Sequence, residues 1–289
     1  MKRTFWHFLA ALALTLMLVS CVKDNDIDSP PQEGPGTEEP KPEEPKPEEP
    51  KPEEESKPEI IFKLECDWAE GDAVGVYAYD AESNDLVFGN KKLIFDGTGW
   101  AGDKLCWEKD SLKFYAYYPY DENIADPAAI SFNVKEDQSG ENEYRLSDFL
   151  MARSKDGVKI GKEVKLEFRH ECAMIQVEVP ESKYWNIDKK LEVSLCGVGI
   201  SVGINLLEDS DASAPTEQTK GSVGNVKMCQ VEKPGDESKN YIYRAVIPVQ
   251  TLKGGSTLFS YVTDGKEFKL GGPVEDCALN AAGVKVFNR

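Results

Sequence analysis

The sequence predicts an all-β protein, and three observations carry that reading. From residue 59 onward apolar and polar residues alternate at period two, turn formers recur every eight to twelve positions, and no long stretch repeats at period 3.6. Many short strands at such spacing build sandwiches or barrels. The body from residue 59 to 289 is long enough for one large core or two of ordinary size.

Taken in order, Val74, Val76 and Ala78 share one face of a strand, as do Leu112, Phe114, Ala116 and Tyr118. The clearest run sets Val164, Leu166, Phe168 and His170 on one side against Lys165, Glu167, Arg169 and Glu171 on the other. The phase then slips by one, because Ala173, Ile175, Val177 and Val179 are the next apolar set. An extra residue near His170–Cys172 restores inward pointing, which is the work of a bulge or a tight corner. Later strands are expected at 191–195, 198–204, 241–247, 257–262, 266–270 and 284–287. A boundary near Pro180 to Ile187 divides the body into units 59–182 and 183–289.

The first twenty residues read as an address. Lys2-Arg3 precedes an apolar run from Phe5 to Val19, the pattern of a secretory signal. At 1.5 Å per residue that run spans roughly 22 Å, short of the ~30 Å of a transmembrane helix. Leu18-Val19-Ser20-Cys21 then resembles a bacterial lipobox, which implies an acylated Cys21 as the first residue of the mature chain. Two or three acyl chains hold stably where one holds only marginally. The other reading is an ordinary cleaved signal followed by a chance cysteine.

Residues 21–58 read as a lipidated, solvated tether. They hold ten of the seventeen prolines, no aromatic residue, and a repeat beginning Lys41-Pro42-Glu43-Glu44-Pro45. In polyproline II form, residues 38–58 reach roughly 65 Å. Asp24, Asp26 and Asp28 resemble export signals that send lipoproteins to the outer leaflet, and spacer composition explains them equally well. A calcium loop is excluded because Ser29 stands where glycine is needed and Pro35 where the bidentate glutamate belongs.

The formal net charge is −18, and Lys2 and Arg3 stand in the discarded segment. Such acidity, with no local cluster of Lys and Arg, excludes nucleic acid as a partner. Once the signal is cleaved His170 is the only histidine, so neither a metal-binding His pair nor any triad apart from one using His170 is available. Its apolar phase suggests a half-buried structural role. Gly197, Gly199 and Gly203 lack dinucleotide-loop spacing. No catalytic residue, metal site or cofactor is expected, and the chain reads as a non-enzyme. Without Cys21, Cys66, Cys106, Cys172, Cys196, Cys229 and Cys277 permit three disulfides or serve as small buried hydrophobes, and spacing does not choose.

Several motifs in order then resemble the fimbrillin family, the Mfa-like and FimA-like lipoproteins of type V pili in Gram-negative anaerobes. They are Trp68-Ala69-Glu70-Gly71-Asp72-Ala73-Val74-Gly75-Val76-Tyr77, Cys106-Trp107, Phe114-Tyr115-Ala116-Tyr117-Tyr118-Pro119-Tyr120, Asp148-Phe149-Leu150-Met151-Ala152, the Phe168-x-His170 core, and Ala282-Gly283-Val284-Lys285-Val286-Phe287. The resemblance implies two tandem transthyretin-like β-sandwiches. It also implies assembly in which a protease removes an N-terminal strand after Arg or Lys and a neighbour's C-terminal strand fills the groove.

Two departures shape the expectation. The arginines are Arg3, Arg145, Arg153, Arg169, Arg244 and Arg289, so Lys57 or Lys63 would have to serve as the processing site. The chain also stops two residues after Phe287, with no extra donor segment. The expected protein is therefore an accessory pilus subunit in adhesion, anchor or tip rather than shaft, held at the cell surface in the outer membrane by Cys21. Its expected partners are other pilus subunits and a host protein or glycan. Rival readings are a stand-alone surface binding lipoprotein using Tyr115, Tyr117, Tyr118 and Tyr120, and a surface hydrolase.

Overall fold

The computed structural model describes residues 57–182, 190–208, 221–233 and 240–288. Residues 1–56 fall outside that set, and with them the signal, most of the tether and Cys21, as does the expected boundary after residue 182. The described residues form one compact unit that holds three separate apolar clusters. No helix among the described residues is long and apolar enough to cross a membrane.

Strands dominate, as the period-two pattern requires. The chain runs through β1 (Phe62–Glu65), β2 (Ala73–Asp80), β3 (Leu86–Phe95), β4 (Trp100–Gly102), β5 (Ser111–Tyr118), β6 (Ile130–Asn133), the short helix α1 (Glu141–Arg145), β7 (Leu150–Arg153), β8 (Val158–Lys159), β9 (Val164–Glu167) and β10 (Arg169–His170). It continues with β11 (Cys172–Pro180), β12 (Glu192–Gly199), β13 (Ser201–Ile204), β14 (Val223–Lys227), β15 (Cys229–Glu232), β16 (Asn240–Pro248), β17 (Thr251–Leu252), β18 (Thr257–Thr263), β19 (Lys266–Gly271), β20 (Cys277–Ala278) and β21 (Val284–Asn288).

A sheet of order β10-β7-β5-β2-β3-β4, with β8 also on β5, forms the backbone of the first part. Both of its faces are covered. Val74, Val76 and Ala78 of β2 and Leu112, Phe114 and Ala116 of β5 point into one core, closed on its far side by Val164 and Leu166 of β9 and by Ile60 and Leu64 around β1. Tyr77, Tyr117 and Met151 point the other way, into a second cluster with Ile130, Phe149, Leu206 and Val246. The third cluster lies between two four-stranded sheets, β15-β16-β11-β21 and β14-β12-β18-β19. Ile175 and Val177 face Leu195 and Phe259 there.

The phase slip at His170–Cys172 is a change of sheet. β10 pairs antiparallel with β7, whereas β11 pairs with β16 and, in parallel, with β21. Glu171 sits at the corner, its N–H donating to the Phe149 carbonyl at 2.9 Å. The expected break between 195 and 198 is instead a bulge within β12, with Gly197 at φ 63° and the register shifting between Leu195 and Val198.

A loop after β6 connects the first sheet to the later ones. β6 pairs with β13, and Gln138, which is fully buried, holds both backbone groups of Val246 on β16. The six body cysteines are free thiols; Cys172 and Cys229 are buried, and burial pushes the Cys172 thiol up to about 12.

Candidate functional site

The residues from Pro58 to Asp72 form a strand, a clamp and a charged turn in succession. Strand β1 follows from alternation: Ile60 and Leu64 are 5 % and 6 % exposed, while Ile61, at 65 %, and the side chains of Lys63 and Glu65 face solvent. Phe62 lies between these extremes and packs edge-on against Phe114 with ring centroids 5.6 Å apart. Burial of each full-sized apolar side chain stabilises by about 2 kcal/mol, so Ile60, Phe62 and Leu64 dominate the hold on β1 and the residues that lead into it.

Its hydrogen bonds are divided between two neighbours. Upstream, the Ile60 N–H donates to the Leu105 carbonyl at 2.7 Å and the Trp107 N–H to the Pro58 carbonyl at 2.9 Å. Downstream, β1 runs parallel to β9 in the register Phe62 to Val164 through Glu65 to Glu167. A cleft of about 440 Å³ opens beside it, walled by Ile61, Phe62, Leu93, Trp100 and Leu105. Both processing residues expected from the sequence lie here. Lys57 is exposed ahead of β1, and Lys63 lies within it, opposite Lys165 and ion-paired to Glu65 at 2.9 Å.

Trp68 clamps the far end of β1. Its indole N–H donates to the Leu64 carbonyl at 3.0 Å, and its ring meets Trp100, Tyr118 and Phe168 at 5.1, 5.7 and 5.0 Å. The turn that follows is charged. Asp72 accepts from the Tyr118 hydroxyl at 3.1 Å and is ion-paired with Arg145 of α1. Four of the sequence motifs therefore meet behind β1: the Trp68–Tyr77 segment, Tyr118, Asp148 and Phe168-x-His170. Arg145 was not foreseen, since nothing in a five-residue helix distinguishes it.

His170 is exposed, although its phase suggested half-burial. Its Nδ1 lies 2.7 Å from Asp148 Oδ2 and 46 % of its side chain is exposed. The Asp148 hydrogen bond raises its pKa above the usual imidazole value, against the lowering effect of burial. Stability from a raised folded pKa is fully present below the unfolded value of about 6.5 and fades as pH rises through the folded one. The melting temperature of wild type should therefore exceed that of His170→Gln by more at pH 5.5 than at pH 8.5. An equal gap at both pH values would contradict this.

The tyrosines separate by face. Tyr117 and Tyr118 are 0 % and 3 % exposed, so they belong to packing; Tyr115 packs edge-on against Tyr79 at 5.7 Å. Tyr120 is partly buried against the second cluster, with Lys92 Nζ 5.1 Å from its ring centroid. No group of three or more His, Cys, Asp or Glu that could hold a metal occurs among the described residues.

Comparison with known proteins places this geometry. The fimbrillin-like family profile matches residues 64–282, from the end of β1 to just before β21. A Bacteroides uniformis protein named as a candidate fimbrium subunit, Fim1C, is 25 % identical over 165 residues, covering 53 % of each chain. A candidate fimbrium tip subunit, Fim1C of Bacteroides ovatus, is 21 % identical over 132 residues, 40 % of this chain and 25 % of that one. The chain thus spans about half or less of the length of these curated relatives. The crystal structure of a candidate cell adhesion protein from Bacteroides ovatus has the same fold, with a TM-score of 0.60 at 14 % identity over 80 % of this chain and 90 % of that chain. With its profile running through nearly all of the body, this chain belongs to the fimbrillin-like family.

Proposed function

We propose that the protein is an accessory pilus subunit in adhesion, an anchor or tip rather than a shaft subunit. In this reading Cys21 carries the lipid that holds it to the outer membrane, residues 21–58 space the body from the surface, and residues 59–182 and 183–289 form two tandem sandwiches. Its partners are other pilus subunits, and a host protein or glycan at the adhesive face. The relatives named as fimbrium subunits support the assembly role.

The observation that carries the accessory role is the environment of the lysines around β1. Lys57 is exposed, but Pro58 follows it, as proline follows Lys41, Lys46 and Lys51. A prolyl nitrogen lacks the N–H and restricts the residue before it, so a trypsin-like protease engages such a bond poorly. Lys63 precedes Leu64 instead, yet its backbone lies in the β1–β9 ladder with buried Leu64 beside it. Cleavage there requires β1 to peel off first. β21 is likewise engaged at home, with Phe287 6 % exposed against its own core and in register with Val177. A body that keeps β1 and pairs β21 with its own β11 is suited to a fixed position, not to a growing shaft.

The deciding experiment is purification of surface filaments with peptide mapping of the mature N-terminus. Acylated Cys21 with an intact Lys57–Pro58 bond in filament fractions is expected. Absence from filaments ends the pilus reading, and a mature start at Leu64 ends the accessory one. In limited trypsin digestion, Pro58→Ala is expected to raise cleavage after Lys57 at least tenfold with little effect on cleavage after Lys63. Equal rates in wild type and variant would remove the proline argument.

A further inference from the structure

We infer that the surface around Tyr120 is a binding site for a neutral oligosaccharide. The proposal rests on the adhesion reading only for where the site would be displayed; the chemistry stands on the site itself.

Two clefts meet at the Pro119–Tyr120 segment. One, of about 480 Å³, lies between the Ala69–Ala73 turn and α1, with Asn142 and Arg145 on its wall. The other, of about 610 Å³, is bordered by Lys92, Glu122, Asn133 and Lys135. Tyr120, Pro119 and Leu146 line both, so the tyrosine stands as a ledge between them. Its backbone is fixed, because its N–H donates to the Ala73 carbonyl at 2.9 Å. Clefts of these sizes fall in the range of small-ligand sites.

The chemistry of the walls selects the ligand class. A sugar ring presents an apolar C–H face and a rim of hydroxyls, each of which both donates and accepts. A tyrosine ring matches the face, and carboxylate, amide and ammonium groups match the rim. The side chains of Glu122, Asn133 and Lys135 are exposed and have no hydrogen-bond or ion-pair partner among the described residues, so they are available to such a rim. Asp121 is differently placed, since its Oδ1 already holds the backbone and side chain of Asn123. Charge balances in the larger cleft, Lys92 and Lys135 against Asp121 and Glu122, which gives an anionic ligand no net attraction. Lys92, now over the Tyr120 ring, is an exposed cation–π partner that a sugar can displace or recruit as a hydrogen-bond donor.

The test is a glycan array of neutral, sialylated and sulfated oligosaccharides probed with the purified full chain, followed by titration of the best neutral glycan against variants. Wild type is expected to bind a neutral glycan, Tyr120→Ala to weaken it at least tenfold, Asn133→Ala to weaken it several-fold, and Tyr115→Ala to leave it unchanged. Melting curves accompany each variant; if Tyr120→Ala unfolds the chain, Asn133→Ala on the exposed rim decides. No neutral glycan bound, preference for the anionic glycans, or wild-type affinity in both variants overturns the proposal. A negative array leaves filament membership untouched, and absence from filaments leaves the array result standing, so the two readings fail separately.

Discussion

Gly75→Ala is expected to destabilise the protein by about 3 kcal/mol, at the upper end of the cost of overpacking a filled core. Gly75 lies in β2, opposite Tyr117 of β5 on one side and Lys92 of β3 on the other. A Cβ there would fall 2.1 Å from Tyr117 Cε1, 2.5 Å from its Cζ and 2.7 Å from Asn90 Oδ1. Tyr117 cannot swing aside cheaply. It is fully buried, its hydroxyl donates to Asn90 Oδ1 at 2.7 Å, and its oxygen accepts from the Asp121 N–H at 3.3 Å. Asn90 is fixed in turn, since φ 44° places it at an irregularity in β3 and its amide donates to the Asp121 and Ile124 carbonyls. Urea unfolding of wild type and variant measures the effect, and a loss below 1 kcal/mol would show that the tyrosine relaxes. Gly75, the second glycine of the Trp68–Tyr77 motif, is thereby explained as space for a tyrosine ring from the neighbouring strand.

The second large effect is expected at Gln138. Its Nε2 donates to the Val246 carbonyl at 2.8 Å and to the Lys135 carbonyl at 3.1 Å, while its Oε1 accepts from the Val246 N–H at 2.8 Å. Gln138→Leu keeps most of the volume and orphans these backbone groups in a site without solvent. An unsatisfied buried group costs about 1–3 kcal/mol, so a total near 3 kcal/mol is expected from two groups on Val246 alone. Chemical denaturation again reads the effect. Because Gln138 joins the loop after β6 to β16, the folded state should also show faster amide exchange at Val246; a variant with wild-type exchange there would sink the account.

Much of the fold was legible because it is written in alternation. The strands at Leu112–Tyr118, Val164–Glu167 and Asn240–Pro248 follow from apolar residues at every second position, and the slip at His170–Cys172 located the corner where the chain changes sheet. Alternation is silent on partners. β1 shows Ile60, Phe62 and Leu64 in phase, but its parallel pairing with Val164–Glu167 joins residues about a hundred positions apart. The tyrosines illustrate the same limit. Tyr115 to Tyr120 read as one aromatic group, yet β5 lies inside a sheet covered on both faces, so Tyr117 and Tyr118 enter opposite cores while Tyr120, beyond the strand, lines both surface clefts.

By itself the sequence determined the strand class, the acidic proline-rich composition ahead of the body and the family motifs, because each is a local matter of periodicity, composition or spacing. The tertiary structure decided what those motifs do. It joined Trp68, Asp72, Tyr118 and Arg145 behind β1, placed Asp148 beside His170, gave Gly75 its reason, and put Gln138 in contact with a strand 108 positions away. These contacts depend on which strands neighbour one another and which face each covers. That choice is made by global packing of apolar surface and satisfaction of buried backbone groups, quantities that no local window contains.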